Sequence, residues 1–184
     1  PETDTSGSEM ASTSQPIKIH DLLRHTSGFT YGFYGQSPAK QKLKQSGLAN
    51  ITSLDTPLDQ FVTRLSTLPL AYQPGTHWEY GRSTDVLGYL IEVIAGENLN
   101  SFLKEGIFEP LGMPDTGFWV PEKDWSRIAE PLENTGEPQL IDVMKKPEML
   151  VGGHGLVSTA GDYLRFCQMI LNGGVLEGVR VLGP

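Results

Sequence analysis

The stretch Gln73-Pro74-Gly75-Thr76-His77-Trp78-Glu79-Tyr80-Gly81-Arg82-Ser83-Thr84-Asp85 limits the folds open to this chain more than any other. Pro74-Gly75 demands a tight turn, because proline presets its own φ and glycine accepts the φ that other residues avoid. His77 to Tyr80 then alternates like a short extended segment. Gly81 releases the chain into an apolar helix from about Ser83, carrying Val86, Leu87, Leu90, Ile91 and Ile94 and ending at Gly96. Tyr80 therefore falls at a turn-to-helix junction. A phenol there can point into a cleft that the backbone N–H groups of the helix start also face, a setting suited to an anion. The same residues equally read as Trp78 and Tyr80 packing at the mouth of a helix.

Around this junction the chain reads as mainly α with short β pieces. Residues 1–16 are Ser, Thr, Glu and Pro with little to bury, which predicts a flexible arm or loop, and residues 17–184 form one ordered unit. His20 to His25 predicts a short helix with Leu22 and Leu23 facing inward, closed at Gly28. The aromatic, glycine-spaced stretch Phe29 to Phe33 reads as a loop that either lines a pocket or covers a core. A polar helix follows Pro38 and ends at Gly47, and Thr56-Pro57-Leu58-Asp59 opens another whose buried stripe is Leu58, Phe61, Val62, Leu65 and Leu68. A further helix spans about Leu99 to Phe108, halted by Pro110. Between Pro114 and Pro147 the pattern weakens to extended pieces near Ile128 and Leu140. Gly152-Gly153-His154-Gly155 marks flexible or closely approached backbone. Ser158 then caps a helix with an inner face of Leu164, Cys167, Ile170 and Leu171, and residues 175–181 form a hairpin.

Composition removes several classes of function. Fourteen Lys and Arg against 22 Asp and Glu, with no basic run, argue against a nucleic-acid surface or an anionic membrane. No apolar run reaches spanning length. Cys167 is the single cysteine, so neither an intrachain disulfide nor a cysteine-ligated zinc site can form, and the four histidines lack metal-site spacing. Ser-x-x-Lys, which on a helix sets an amine beside a hydroxyl, occurs at Ser37 to Lys40 and at Ser101 to Lys104. The first lies in a Lys- and Gln-rich surface stretch and the second on the wet side of an amphipathic helix. Either serine as the nucleophile of an independent small enzyme is the weakest reading.

Four motifs occur in order: Ile19-His20-Asp21-Leu22-Leu23-Arg24-His25-Thr26-Ser27-Gly28; Pro74-Gly75-Thr76-His77-Trp78-Glu79-Tyr80; Glu109-Pro110-Leu111-Gly112-Met113 with Thr116 and Phe118; and Gly152-Gly153-x-Gly155-Leu156-Val157-Ser158-Thr159-Ala160-x-Asp162. Together they resemble the serine β-lactamase-like superfamily, in particular its class C β-lactamase, DD-peptidase and family VIII carboxylesterase branch, over about residues 17–184. The resemblance implies the helical subdomain of that α/β fold without most of its sheet. It also implies acyl transfer through a seryl ester, with neither metal nor organic cofactor. In the family the Ser-x-x-Lys nucleophile precedes the Leu-Leu-Arg-His-Thr-Ser-Gly segment and a third motif follows the last hairpin, so both Ser-x-x-Lys matches here are decoys. Of the family's catalytic groups only Tyr80 carries over, as a proton shuttle working with a lysine outside this chain. The remainder of the parent domain is thus the implied partner, and a small-molecule ester or amide the implied substrate. Arg82 occupies the position where the second motif has Asn, which fits esterases better than β-lactamases or DD-peptidases. Arg82, Phe29, Tyr31, Phe33 and Trp119 are the candidate substrate contacts. A catalytically silent binding or scaffold member is the alternative from another functional class.

Overall fold

Helix α4 (Ser83–Ala95) is the element that packs against the most others. In this computed structural model, which describes residues 2–5, 9–33, 35–130 and 140–183, it contacts α1 (Ile19–Leu23), α3 (Leu58–Ser66) and α5 (Leu99–Leu103). Although α4 is apolar overall, the residues it buries are Ser83, Asp85 and Gly88, while Val93 and Ile94 near its end are exposed. Gly152 explains part of this pattern. A Cβ there would stand 2.2 Å from the Thr84 carbonyl oxygen, so the 151–153 backbone lies directly on the helix, and only glycine permits that approach. Gly96 ends α4 in the left-handed conformation.

Two apolar clusters flank this arrangement. In the first, Leu58, Phe61 and Leu65 of α3 meet Leu43 of α2 (Pro38–Gln45), Leu48, Leu54, Met149 and Val151, with Val86 and Tyr89 of α4 against them. The three α3 residues recur at helical spacing, and burying each contributes about 1.5–3 kcal/mol relative to exposure. The second cluster joins Phe108, Leu111 and Met113 to Met169 of α6 (Ala160–Leu171) and Leu176 of β3 (Val175–Leu176). Asn98 caps α5 by accepting from the Ser101 N–H, and the helix runs on through a wider π turn over Lys104–Phe108. β3 pairs with β4 (Val179–Arg180) across Glu177 and Gly178, both at positive φ, as a two-residue hairpin requires.

Several elements depart from the sequence reading. Where an arm is expected, β1 (Glu2–Thr5) pairs antiparallel with β2 (Glu9–Ser12), and Ser14 and Gln15 then bond to Gln73 and Pro74. In α1 the buried residues are Asp21 and Leu22. Leu23 is exposed because the helix ends there and His25 already has a left-handed φ of 55°. Ser37 caps α2 by accepting from the Lys40 N–H, and Pro57, not Thr56, is the residue that precedes α3. On α6 the stripe expected to point inward, Leu164, Cys167, Ile170 and Leu171, has no element covering it among the described residues. Polar tethers set that rotation. Asp162 accepts from the Asp115 N–H and Thr116 Oγ1, and Arg165 donates to the Leu111 carbonyl and reaches Glu177, which leaves Met169 on the inner side. The cap of α6 is Thr159 rather than Ser158. Near Ile128 and Leu140 the described residues form no paired strand; a six-residue 3-10 turn, Glu122–Arg127, precedes Ile128.

Asp21 ties the start of α1 to the turn at its end. Its carboxylate, 2% exposed, accepts from the Lys18 N–H at 2.9 Å and from Thr26 Oγ1 at 3.1 Å. The Lys18 N–H foremost, with Thr26 and His20, holds this carboxyl below its usual range against the opposing effect of burial. A depressed native pKa means a contribution to stability that is complete above the unfolded-state value of about 3.9 and is lost as pH falls through the native one. Asp21→Asn should therefore lower the urea midpoint at pH 7, and the gap to wild type should close in titrations below about pH 4.

Candidate active site

The segment from Leu70 to Gly81 is sewn to residues 25–30 by backbone bonds. The Ala71 N–H donates to the Gly28 carbonyl at 2.8 Å, Gly75 to Thr26 at 2.8 Å and Glu79 to His25 at 2.9 Å. Glycine is required at two of the crossings. A Cβ on Gly28 would fall 2.3 Å from the Tyr72 carbonyl oxygen, and one on Gly81 would fall 2.4 Å from that of Phe29. The buried hydroxyls of Ser27 and Ser83 meet at 2.8 Å, which fixes the start of α4 to the same strip.

Alternation along the extended piece then sorts its side chains. Glu79 turns inward, accepting from Thr30 Oγ1 at 2.7 Å and pairing with Lys40 Nζ at 2.9 Å. Trp78 and Tyr80 turn outward together, their rings 6.3 Å apart and 15° from parallel. Tyr80, 55% exposed, also meets the His25 ring at 5.1 Å and the edge of Tyr31 at 5.2 Å. Tyr31 in turn stacks on Phe33 at 5.2 Å. Burial first, and the Asp85 carboxylate second, push the Tyr31 phenol up to about 12, so it stays protonated throughout the ordinary pH range.

Tyr80, Tyr31 and Phe33 are thus brought together, and the other candidates lie elsewhere. Phe29 is half-buried and packs on the cluster around Phe61, and Trp119 lies under Lys146, whose Nζ is 5.4 Å from its ring. Arg82, expected as a substrate contact, has no exposed surface. Its guanidinium pairs with Asp85 at 3.1 Å, donates to the Leu48 carbonyl at 2.7 Å, and lies 4.9 and 5.1 Å from the rings of Tyr31 and Phe61. Asp85 completes the hub by accepting from the Gly153 N–H at 2.9 Å. Sequence reasoning passed over Asp85 and the ring of His25. The i,i+3 spacing of Arg82 and Asp85 was a readable signal for the first, whereas nothing local announces that His25 meets the ring of a residue 55 positions later. Among the described residues no three His, Cys, Asp or Glu side chains cluster as a metal site would need.

A phenol at the surface, with its ring walled by aromatics and its backbone fixed on both sides, can take up and return a proton at a defined place. Comparison with known proteins places the chain in a family. The Beta-lactamase family model matches residues 8–182. An uncharacterized protein of Mycobacterium tuberculosis is 38% identical over 175 residues, covering 91% of this chain and 42% of that protein. The lovastatin esterase of Penicillium rubens is 30% identical over 173 residues, covering 89% and 42%. Among solved structures, EstCE1, a hydrolase with promiscuous acyltransferase activity, aligns with a TM-score of 0.69 at 26% identity, covering 90% of this chain and 48% of its own. The chain belongs to the beta-lactamase family, and it spans less than half the length of these relatives.

Asp85→Asn should cost about 3 kcal/mol or more in urea unfolding, because it strands the buried Arg82 charge. Arg82→Met combined with Asp85→Leu should cost less than that single change.

Proposed function

We propose that this chain is the helical part of a serine hydrolase that acts on esters by acyl transfer, with Tyr80 as its proton shuttle and its nucleophile and third motif supplied from outside residues 17–184. The observation that carries the reading is the placement of Tyr80: an outward phenol at the entry to α4, ringed by His25, Tyr31 and Trp78. In the first half-reaction the serine hydroxyl attacks the ester carbonyl and gives its proton to the Tyr80 oxygen, which passes it to the departing alkoxide. In the second, water or an acceptor alcohol attacks the acyl carbonyl and gives its proton to the Tyr80 oxygen, which returns it to the serine oxygen as the acyl group departs. Kinship with an esterase and with a hydrolase that also transfers acyl groups supports this chemistry.

Esters are favoured over β-lactams and peptides by the orientation of Arg82. The residue two places after Tyr80 turns into the core, so this position offers no side-chain amide to a substrate amide. Neither internal Ser-x-x-Lys match supports a nucleophile: Ser37 Oγ accepts from the Lys40 N–H while Lys40 Nζ pairs with Glu79, and Lys104 Nζ pairs with Glu109 at the surface.

In the full-length protein, Tyr80→Phe should lower kcat for p-nitrophenyl butyrate by about 10²- to 10⁴-fold while leaving the folded state intact. Nitrocefin should be turned over far more slowly than the ester. Wild-type ester turnover in Tyr80→Phe would refute the shuttle, and faster nitrocefin turnover would point to a β-lactamase.

A further inference from the structure

His25 combines three features, the first two of which carry a cost. Its backbone holds a left-handed φ of 55°, a region that residues other than Gly seldom occupy, although Asn, Asp and His do so more often than the rest. Among the described residues its Nδ1 is buried without a hydrogen-bond partner, as is Arg82 Nε, which costs free energy. Its imidazole contacts the rings of Tyr80 at 5.1 Å and Trp78 at 6.3 Å. If the position served packing alone, an aliphatic side chain would fill it without an unpaired nitrogen. If it served the turn alone, Gly or Asn would accept the φ without strain. Backbone strain at a residue touching a candidate proton shuttle is the kind that the surrounding structure maintains for a purpose.

We infer that His25 is a positioning residue: its ring, tilted against that of Tyr80 at 5.1 Å, blocks the other rotamers of the phenol, and its carbonyl, which accepts from the Glu79 N–H, fixes the backbone one residue earlier. This rests on the shuttle role proposed above for Tyr80. The turn that delivers the ring is built independently of Tyr80. The Thr26 N–H donates to the Asp21 carbonyl at 2.8 Å, and that of His25 to Leu22 at 3.2 Å. Removing the ring should therefore release Tyr80 without unravelling α1. A flat, rigid ring restrains a neighbouring phenol at small entropic cost, whereas an exposed tyrosine left to itself samples several staggered χ1 wells.

The test is made on the full-length protein with His25→Asn, which keeps the left-handed turn and deletes the ring, and with His25→Gly in case the first variant folds poorly. Three-bond couplings to Tyr80 Cγ in selectively labelled protein report its χ1 rotamer. One dominant rotamer should give way to averaging, while kcat for p-nitrophenyl butyrate falls by about 10- to 100-fold and KM stays within about twofold. An unchanged Tyr80 rotamer in a folded variant would overturn the inference, whatever happens to turnover. Averaging in a protein whose Tyr80→Phe variant retains full kcat would uphold the positioning role and reject the shuttle, so the two failures are separable.

Discussion

The buried pair of Arg82 and Asp85 is the interaction on which the rest of this structure depends. A guanidinium with no exposed surface is tolerable only where charge, hydrogen bonds and ring faces all compensate for lost water. Here Asp85 supplies the charge, the Leu48 carbonyl a hydrogen bond, and Tyr31 and Phe61 the ring faces. Those partners come from the loop after Gly28, the connection after α2, helix α3 and the first turn of α4, and Asp85 adds the 151–153 strip through the Gly153 N–H. Separate stretches of chain are thereby held to one point.

Tyr80 inherits its place from that point. Arg82 turned inward fixes the entry of α4, Gly81 lets the chain pass against Phe29 and Thr30, and the alternation of the preceding residues sends Glu79 in and Tyr80 out. The aromatic surround is continuous with the hub, since Tyr31 lies over the guanidinium and meets Tyr80 with its edge. An interaction made for stability thus also orients the group proposed for chemistry.

Much of this was legible in the sequence where the signal is local. Pro74-Gly75, the Leu58, Phe61 and Leu65 stripe, the stop at Gly96 and the Glu177-Gly178 turn each act over a few residues, and each lies where the pattern placed it. Four ordered motifs identified the family. What periodicity could not give was which stripe of a mixed helix faces inward. In α6 the tethers on Asp162 and Arg165 come from residues 111–116 and 177, and they leave the most apolar stripe uncovered among the described residues. Arg82 was read as a substrate contact because it stands where the second motif of the resembled family has Asn, and only the tertiary meeting of Leu48, Tyr31, Phe61 and Asp85 accounts for its burial. The meeting of the His25 and Tyr80 rings is nonlocal in the same way.

The central claim is that residues 17–184 contribute the proton shuttle but not the nucleophile. The most direct test is to label the full-length protein with a fluorophosphonate and map the modified serine by peptide mass spectrometry. The account predicts one labelled serine, in a Ser-x-x-Lys preceding Ile17, with Ser37 and Ser101 untouched. Label on Ser37, Ser101 or any other serine within residues 17–184 would contradict it.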